Sequence, residues 1–221
     1  MKEEVAQLKA EMTNVNITSK AAMDFYEGSL NDKNVVIVQS GIGKVNAGIC
    51  TQILIDDFDI SHVINTGIAG SLRSEIDIFD IVVSTDAVQH DVDALEFGYP
   101  LGQIPQLDTF SFQADKDLIN KAVVACQAVN ADIKVFTGRV VSGDQFIADA
   151  KTKQKIIDNF DGYCTEMEGA AIAQVAYLNN IPFVVIRAIS DKADNSAQVD
   201  YPVFEEKAIS NSVKLVNYML K

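Results

Sequence analysis

The sequence predicts an α/β domain whose mixed, mostly parallel central sheet is flanked by helices. Three observations predict it. Strand-length apolar runs alternate with segments of helical periodicity along the whole chain. Several of those runs, above all IPFVVIRAIS at 181–190, are apolar throughout, which marks strands covered on both faces. Glycine-bearing or polar segments follow the runs, as loops at the carboxyl ends of parallel strands do. No linker, repeat or low-complexity stretch interrupts the 221 residues, so one domain over 1–221 is expected.

Each element has its own warrant. Val5, Leu8 and Met12 sit at helical spacing and predict a short helix over 3–12. MDFYEGSL and NVVIVQSG, 23–30 and 34–41, read as strands joined by an Asn-Asp turn. A helix pattern over 45–58 follows SGIGK. HVINTGIAGS at 62–71 reads as a strand running into a glycine loop, and 79–89 as another strand. Residues 91–113 carry two glycines and two prolines among several aromatics. They read as a long ordered loop, which in a compact domain is usually functional. Helix 116–129, strand 132–143 and helix 152–160 come next. The stretch from Glu166 to Asn180 reads as a helix with both its glutamates at the start, where acids suit the helix dipole. After the apolar strand at 181–190, a last helix is expected over 202–221 with Pro202 in its first turn.

Bulk properties narrow the partners. A formal net charge of -13 argues against nucleic acid and against an anionic membrane surface. No run of about 18 apolar residues and no signal-like segment is present, so a cytoplasmic protein without a membrane span is expected. Cys50, Cys126 and Cys164 are odd in number and widely spaced, which predicts buried free thiols and no disulfide framework. His62 and His90 are far apart, and no metal site can be argued from them.

The chemistry is expected where four loops would meet: SGIGK (40–44), NTGIAGS (65–71), VSGDQFI (141–147) and RAISDKAD (187–194). The first two are glycine-rich but fit neither GxxxxGK[ST] nor GxGxxG, so close approach of backbone to an uncharged ligand is the better reading. Asp191 lies at the mouth of an apolar strand. There it either caps a turn or is a partly desolvated acid, with a raised pKa and able to donate a proton. Phe146 and Ile147 are either cover for the core or a wall for a flat ring. Glu166 and Glu168 flank Met167 ahead of Gly-Ala-Ala, whose small side chains let a helix pack closely and leave acids at a cleft. A carboxylate there can accept both hydroxyls of a vicinal diol.

Taken together, VSGDQFI, CTEMEGAAIAQVA and FVVIRAISDKAD, with SGIGKVNAG, INTGIAGSL, DIVVSTDAVQHDVD and EFGYPLGQIP, resemble the bacterial 5′-methylthioadenosine/S-adenosylhomocysteine nucleosidases of the purine nucleoside phosphorylase superfamily. The likeness covers nearly the whole chain. It implies a nucleoside phosphorylase-like fold and hydrolysis of a ribose–adenine bond without metal or organic cofactor. By the same resemblance Asp191 is the general acid toward adenine N7 and Glu4 the residue that activates water. Glu168 holds the ribose hydroxyls, with Met167 beside the sugar and Glu166 in the same substrate-binding set. Phe146 and Ile147 form the adenine pocket, Ala69 and Gly70 a lining loop, and Ser190 orients the acid. Ile42 and Phe204 form the apolar pocket for the 5′-alkylthio group, and Phe97 is donated across a homodimer interface.

Two departures carry expectations of their own. Relatives place a central strand before the glutamates that is absent here, so its neighbours should be exposed. Ile68 stands where many relatives have serine. A phosphorylase would carry an arginine at Glu4 and use phosphate. A related nucleoside hydrolase, such as one acting on futalosine, and a non-catalytic nucleoside-binding protein are the other readings.

Overall fold

The computed structural model describes residues 2–221, without the side chains of 198, 199, 201 and 202. It opens with α1 (Lys2–Ala10), then β1 (Thr13–Lys20), β2 (Met23–Leu30) and β3 (Lys33–Val38), α2 (Lys44–Phe58), β4 (Val63–Ser71) and β5 (Ile81–Gln89). A 3-10 turn at Leu95–Phe97 and the two-residue β6 (Phe112–Gln113) lie in the long loop. Then follow α3 (Lys116–Val129), β7 (Val135–Ser142), α4 (Ala150–Phe160), β8 (Cys164–Glu166), α5 (Gly169–Leu178), β9 (Phe183–Asp191) and α6 (Ala197–Met219).

Four local expectations change. β1 was not anticipated: TNVNITSK is exposed along its length, so no burial pattern marks it, and it is held by antiparallel pairing with β2 alone. The TGIAGS segment is strand rather than loop, because β4 continues to Ser71 to pair with β8. Glu166 ends a strand, and α5 starts at Gly169 rather than at the glutamates. The last helix begins at Ala197, which places Pro202 beyond its first turn.

The strands form two sheets. β1-β2-β3 is an antiparallel meander, and β6-β5-β7-β8-β4-β9 is a mixed sheet that also pairs β5 with β9. β5, β7 and β8 are mutually parallel, as are β4 and β9, and the two groups meet antiparallel at β4–β8 and β5–β9. The sheet therefore curls on itself, as strong twist allows. The loops after β4, β7 and β9 converge because β4, paired to β9, crosses β8 at Gly70 and Thr165, where β8 is also paired to β7 at Val141, and SGIGK joins them through the Gly43 N–H bond to Glu168. All nine residues of β9 are buried and, of β5, only Thr85 is exposed, which fits their unbroken apolar runs. Helices α2 and α5 pack on one another, while α3 and α6 cover Ile81, Val83, Val184 and Ile186.

Among the described residues β3 pairs only with β2, and the Val63–Ala69 stretch of β4 only with β9. A cavity of about 1470 Å³ runs between these two edges. β3 is exposed at Lys33 and Asn34 and half-exposed from Val35 to Val38, where it borders this cavity.

Candidate active site

The upper end of the cavity gathers most of the expected residues. Glu4, Glu166, Met167, Glu168, Ser190 and Asp191 line it, and so do Ile42, Ala69, Gly70 and Phe146. Ile147, Phe204 and Phe97 do not. Ile147 is buried with Leu72, Val88 and Val141 beneath the loop it follows. Phe204 packs edge-on against Phe79, with ring centroids 5.4 Å apart. Phe97 stands on the 3-10 turn of the long loop, 83% exposed.

Asp191 owes its place to a bulge. β4 and β9 run in register to Ala69 and Ile189, then Gly70 meets Asp191, so one residue of β4 faces two of β9. Bulges of this kind re-aim side chains. Only glycine fits at 70: a Cβ there would sit 2.7 Å from Asp191 Oδ1 and 2.8 Å from the Ala193 Cβ. The Asp191 carboxylate accepts hydrogen bonds from the Ala193 N–H (2.8 Å) and from Ser190 Oγ (2.9 Å). Burial nonetheless outweighs these bonds and holds the carboxyl above the ordinary range. The same group is thus a turn acceptor and a desolvated carboxyl, the two surroundings that the sequence set against each other.

Arg187 is a charge in the middle of the apolar strand β9, and it organises the floor of the site. It is 2% exposed, and a buried guanidinium requires a partner. Glu166 supplies it, accepting from Arg187 Nε (3.2 Å) and Nη2, and Nη2 also donates to Asn65 Oδ1 (2.6 Å). The same carboxylate accepts from Ser142 Oγ and from the Gly169 N–H (2.8 Å) and Glu168 N–H (3.0 Å), so it caps α5 from within β8. Burial pushes Glu166 up, but the Arg187 charge and these bonds prevail and hold it below its usual value. Its oxygens are occupied by protein groups. The signal that could have found this pair is a lone charge in an otherwise apolar strand.

Glu168 is oriented differently. Its Oε1 accepts from the Gly43 N–H at 2.8 Å, which ties the SGIGK loop to the start of α5. Burial and the neighbouring Glu166 charge raise its pKa, against Arg187 and the Gly43 N–H. Glu4, in the first turn of α1 and 1% exposed, accepts from Thr66 Oγ1 at 3.1 Å, and Thr66 also bonds Ser212 on α6. Thr66, Asn65, Ser142 and Arg187 are site residues that local sequence did not single out, because each works only through a partner distant in the chain.

The arrangement can do acid–base chemistry on something held between two ends. Thr66, at Glu4, and Gly70, at Asp191, are four residues apart on β4, about 13 Å of strand. A raised carboxyl at one end and a second buried carboxylate at the other leave room for a small molecule between them. Among the described residues no group of three or more His, Cys, Asp or Glu is placed to hold a metal ion. No helix among them is long and apolar enough to cross a membrane.

Comparison with known proteins points the same way. A family model described as the phosphorylase superfamily matches residues 1–221. The chain is 44% identical to a 5′-methylthioadenosine/S-adenosylhomocysteine nucleosidase of Staphylococcus aureus, over 100% of this chain and 96% of that protein. Its structure is similar to that of the nucleosidase of the same name from Neisseria meningitidis, solved in complex with methylthio-immucillin-A. That match has a TM-score of 0.96 at 40% identity and covers 100% of this chain and 95% of that one. It is also similar to a futalosine hydrolase of Helicobacter pylori, with a TM-score of 0.93 at 31% identity over 99% of this chain and 93% of that one.

Proposed function

The chain belongs to the phosphorylase superfamily and, within it, to the family of 5′-methylthioadenosine/S-adenosylhomocysteine nucleosidases, and from that premise we propose that it hydrolyses the N-glycosidic bond of both nucleosides. The products are adenine and the thioribose. The observation that carries this reading is Asp191: a carboxyl raised by burial, at the end of a cavity that also holds Glu4 and Glu168.

Breaking a ribose–adenine bond leaves positive charge on the sugar and negative charge on the base. Asp191, whose carboxyl burial holds above the ordinary range and so makes a better proton donor, gives its proton to N7 as the C1′–N9 bond breaks. Glu168 accepts hydrogen bonds from the ribose hydroxyls alongside the one it takes from the Gly43 N–H. The carboxylates of Glu168 and Glu4 stabilise the sugar cation. Water then adds its oxygen to C1′ and passes its proton to Glu4. Met167 packs beside the sugar, Phe146 and the Ile147 backbone meet the base, and Ala69 and Gly70 wall the site. Arg187 and Glu166 serve as positioning residues, fixing the helix start from which Glu168 projects. Arg187, the cation beside Glu4 and Glu168, is neutralised by Glu166, which favours water over phosphate as the nucleophile.

Phe97 belongs to this reading through a second copy of the chain. Its exposure beside Leu95 (54%), with Ile42 and Val45 also open on the SGIGK side, suits a homodimer in which Phe97 completes the partner's 5′-alkylthio pocket beside Ile42, a pocket that Phe204 would join only by leaving Phe79. Cytoplasmic methionine salvage is the setting that fits these substrates.

Adenine release from methylthioadenosine, followed by chromatography with and without phosphate, tests the proposal. Equal release under both conditions supports hydrolysis, and release that needs phosphate overturns it in favour of a phosphorylase. The likeness to a futalosine hydrolase favours a second reading, and cleavage of futalosine at least as efficient as that of methylthioadenosine would establish it.

A further inference from the structure

Lys44 and Asp91 are not used in the mechanism above, yet they are among the best-sheltered ion pairs of the molecule, with side chains 18% and 16% exposed. They belong to a closed ring. The Lys44 N–H donates to Asp144 Oδ1 (2.8 Å), the Asp144 N–H donates to Asp91 Oδ2 (2.9 Å), and Lys44 Nζ donates to Asp91 Oδ1 (2.6 Å). Lys44 Nζ also donates to Gln89 Oε1 (3.0 Å), and Gln89 Nε2 to Gln174 Oε1 (2.6 Å) on α5. The ring thereby joins the amino end of α2, the residue two beyond β5 and the loop after β7.

What the ring holds is the reason it matters. α2 starts at Gly43 with φ 91° and no side-chain cap, so its first turn is fixed from outside. Gly43 N–H points to Glu168 and the next N–H to Asp144. Two successive peptides thus sit between the carboxylate assigned to the ribose and the segment that carries Phe146, two residues past Asp144. The Gly43 bond is also one of the groups that counter the burial raising Glu168.

We propose that Lys44 is a positioning residue: through Asp91 and Asp144 it holds the Gly43 N–H on Glu168 Oε1, so fixing the carboxylate assigned to the ribose hydroxyls, and keeps the wall at Phe146 in register with it. This rests on reading the cavity as a nucleoside site.

The test compares wild type, Lys44→Met, Lys44→Arg, Glu168→Gln and the Lys44→Met/Glu168→Gln double variant on methylthioadenosine. Lys44→Met should raise KM about tenfold or more with a smaller change in kcat, and Lys44→Arg should recover most of it. In the Glu168→Gln background the same substitution should cost less than about threefold, since the two act through one contact. Equal cost in both backgrounds, or an unchanged KM, overturns the proposal. Amide hydrogen exchange at Gly43 is read in the same proteins without substrate. Faster exchange in Lys44→Met is expected, and unchanged exchange overturns the proposal on its own. If wild type releases no adenine, the reading of the cavity fails, while the exchange measurement still decides whether Lys44 fixes the Gly43 contact.

Discussion

At the scale of single residues, the site is a set of carboxyls given different tasks by different surroundings. Asp191 is desolvated and raised, whereas Glu166 is buried as well but held down by Arg187. Asp191→Asn should lower kcat by about 10²–10⁴ while adenine still binds. Its effect on stability has a definite sign. The folded carboxyl binds its proton more tightly than an unfolded one, of pKa about 3.9. The associated stability is present at low pH and lost as pH rises through the raised value. Asn removes that loss, so its Tm at pH 8 should equal or exceed that of wild type, with the gap closing toward pH 3. A lower Tm at pH 8 would contradict the desolvation argument. Glu166→Gln leaves the Arg187 guanidinium buried with its charge uncompensated, and urea unfolding should show a loss of about 3–5 kcal/mol.

At the scale of elements, what matters is where strands end. Asp191 and Glu166 both occupy the last position of a strand, and Glu4 and Glu168 stand in or just before the first turn of a helix. Chain geometry rather than side-chain length brings them together. The close approach of β4 and β9 at Gly70 bears directly on Asp191. Gly70→Ala should leave the far-ultraviolet spectrum unchanged and cut kcat/KM at least about tenfold, because the methyl group displaces the Asp191 carboxylate. By contrast Asp115, which caps α3 by accepting from the Asp117 and Leu118 N–H groups, lies far from the site in chain and function. Asp115→Ala should cost about 1 kcal/mol in thermal unfolding and leave kcat/KM as it was.

At the scale of the whole molecule, the two sheets differ in how firmly they are held. β5 and β9 are buried along most of their length, while β1 is exposed throughout and β3 faces the cavity with one edge. Native-state hydrogen exchange should therefore be slowest in β5, β7 and β9 and fastest in β1, and the reverse order would contradict this packing. The homodimer reading has its own test. Phe97→Ala and Asp191→Asn proteins should each be nearly inactive. Mixing them should restore turnover, because the mixed dimer has one site with an intact acid and a partner Phe97. No recovery after subunit exchange would leave Phe97 without a role across the interface.

The sequence by itself determined the αβ alternation, the buried central strands and the motifs that carry the family likeness. These are local or short-range properties: apolar runs, helical periodicity and glycines at turns are legible wherever they occur. It also marked Asp191 and Glu168, each of which stands out against apolar or small neighbours. Free thiols were expected at Cys50, Cys126 and Cys164, and all three are free and buried. Only the tertiary structure decided the rest. β1 has no burial pattern and exists through its pairing with β2. The curl that sets β4 across β8 depends on contacts between residues about a hundred apart in the chain. Arg187 became a site residue because Glu166, 21 residues before it, neutralises it, and Lys44 because Asp91 and Asp144 close a ring around it. A buried charge is stable only with its partner, and which partner it finds depends on how the chain folds in three dimensions.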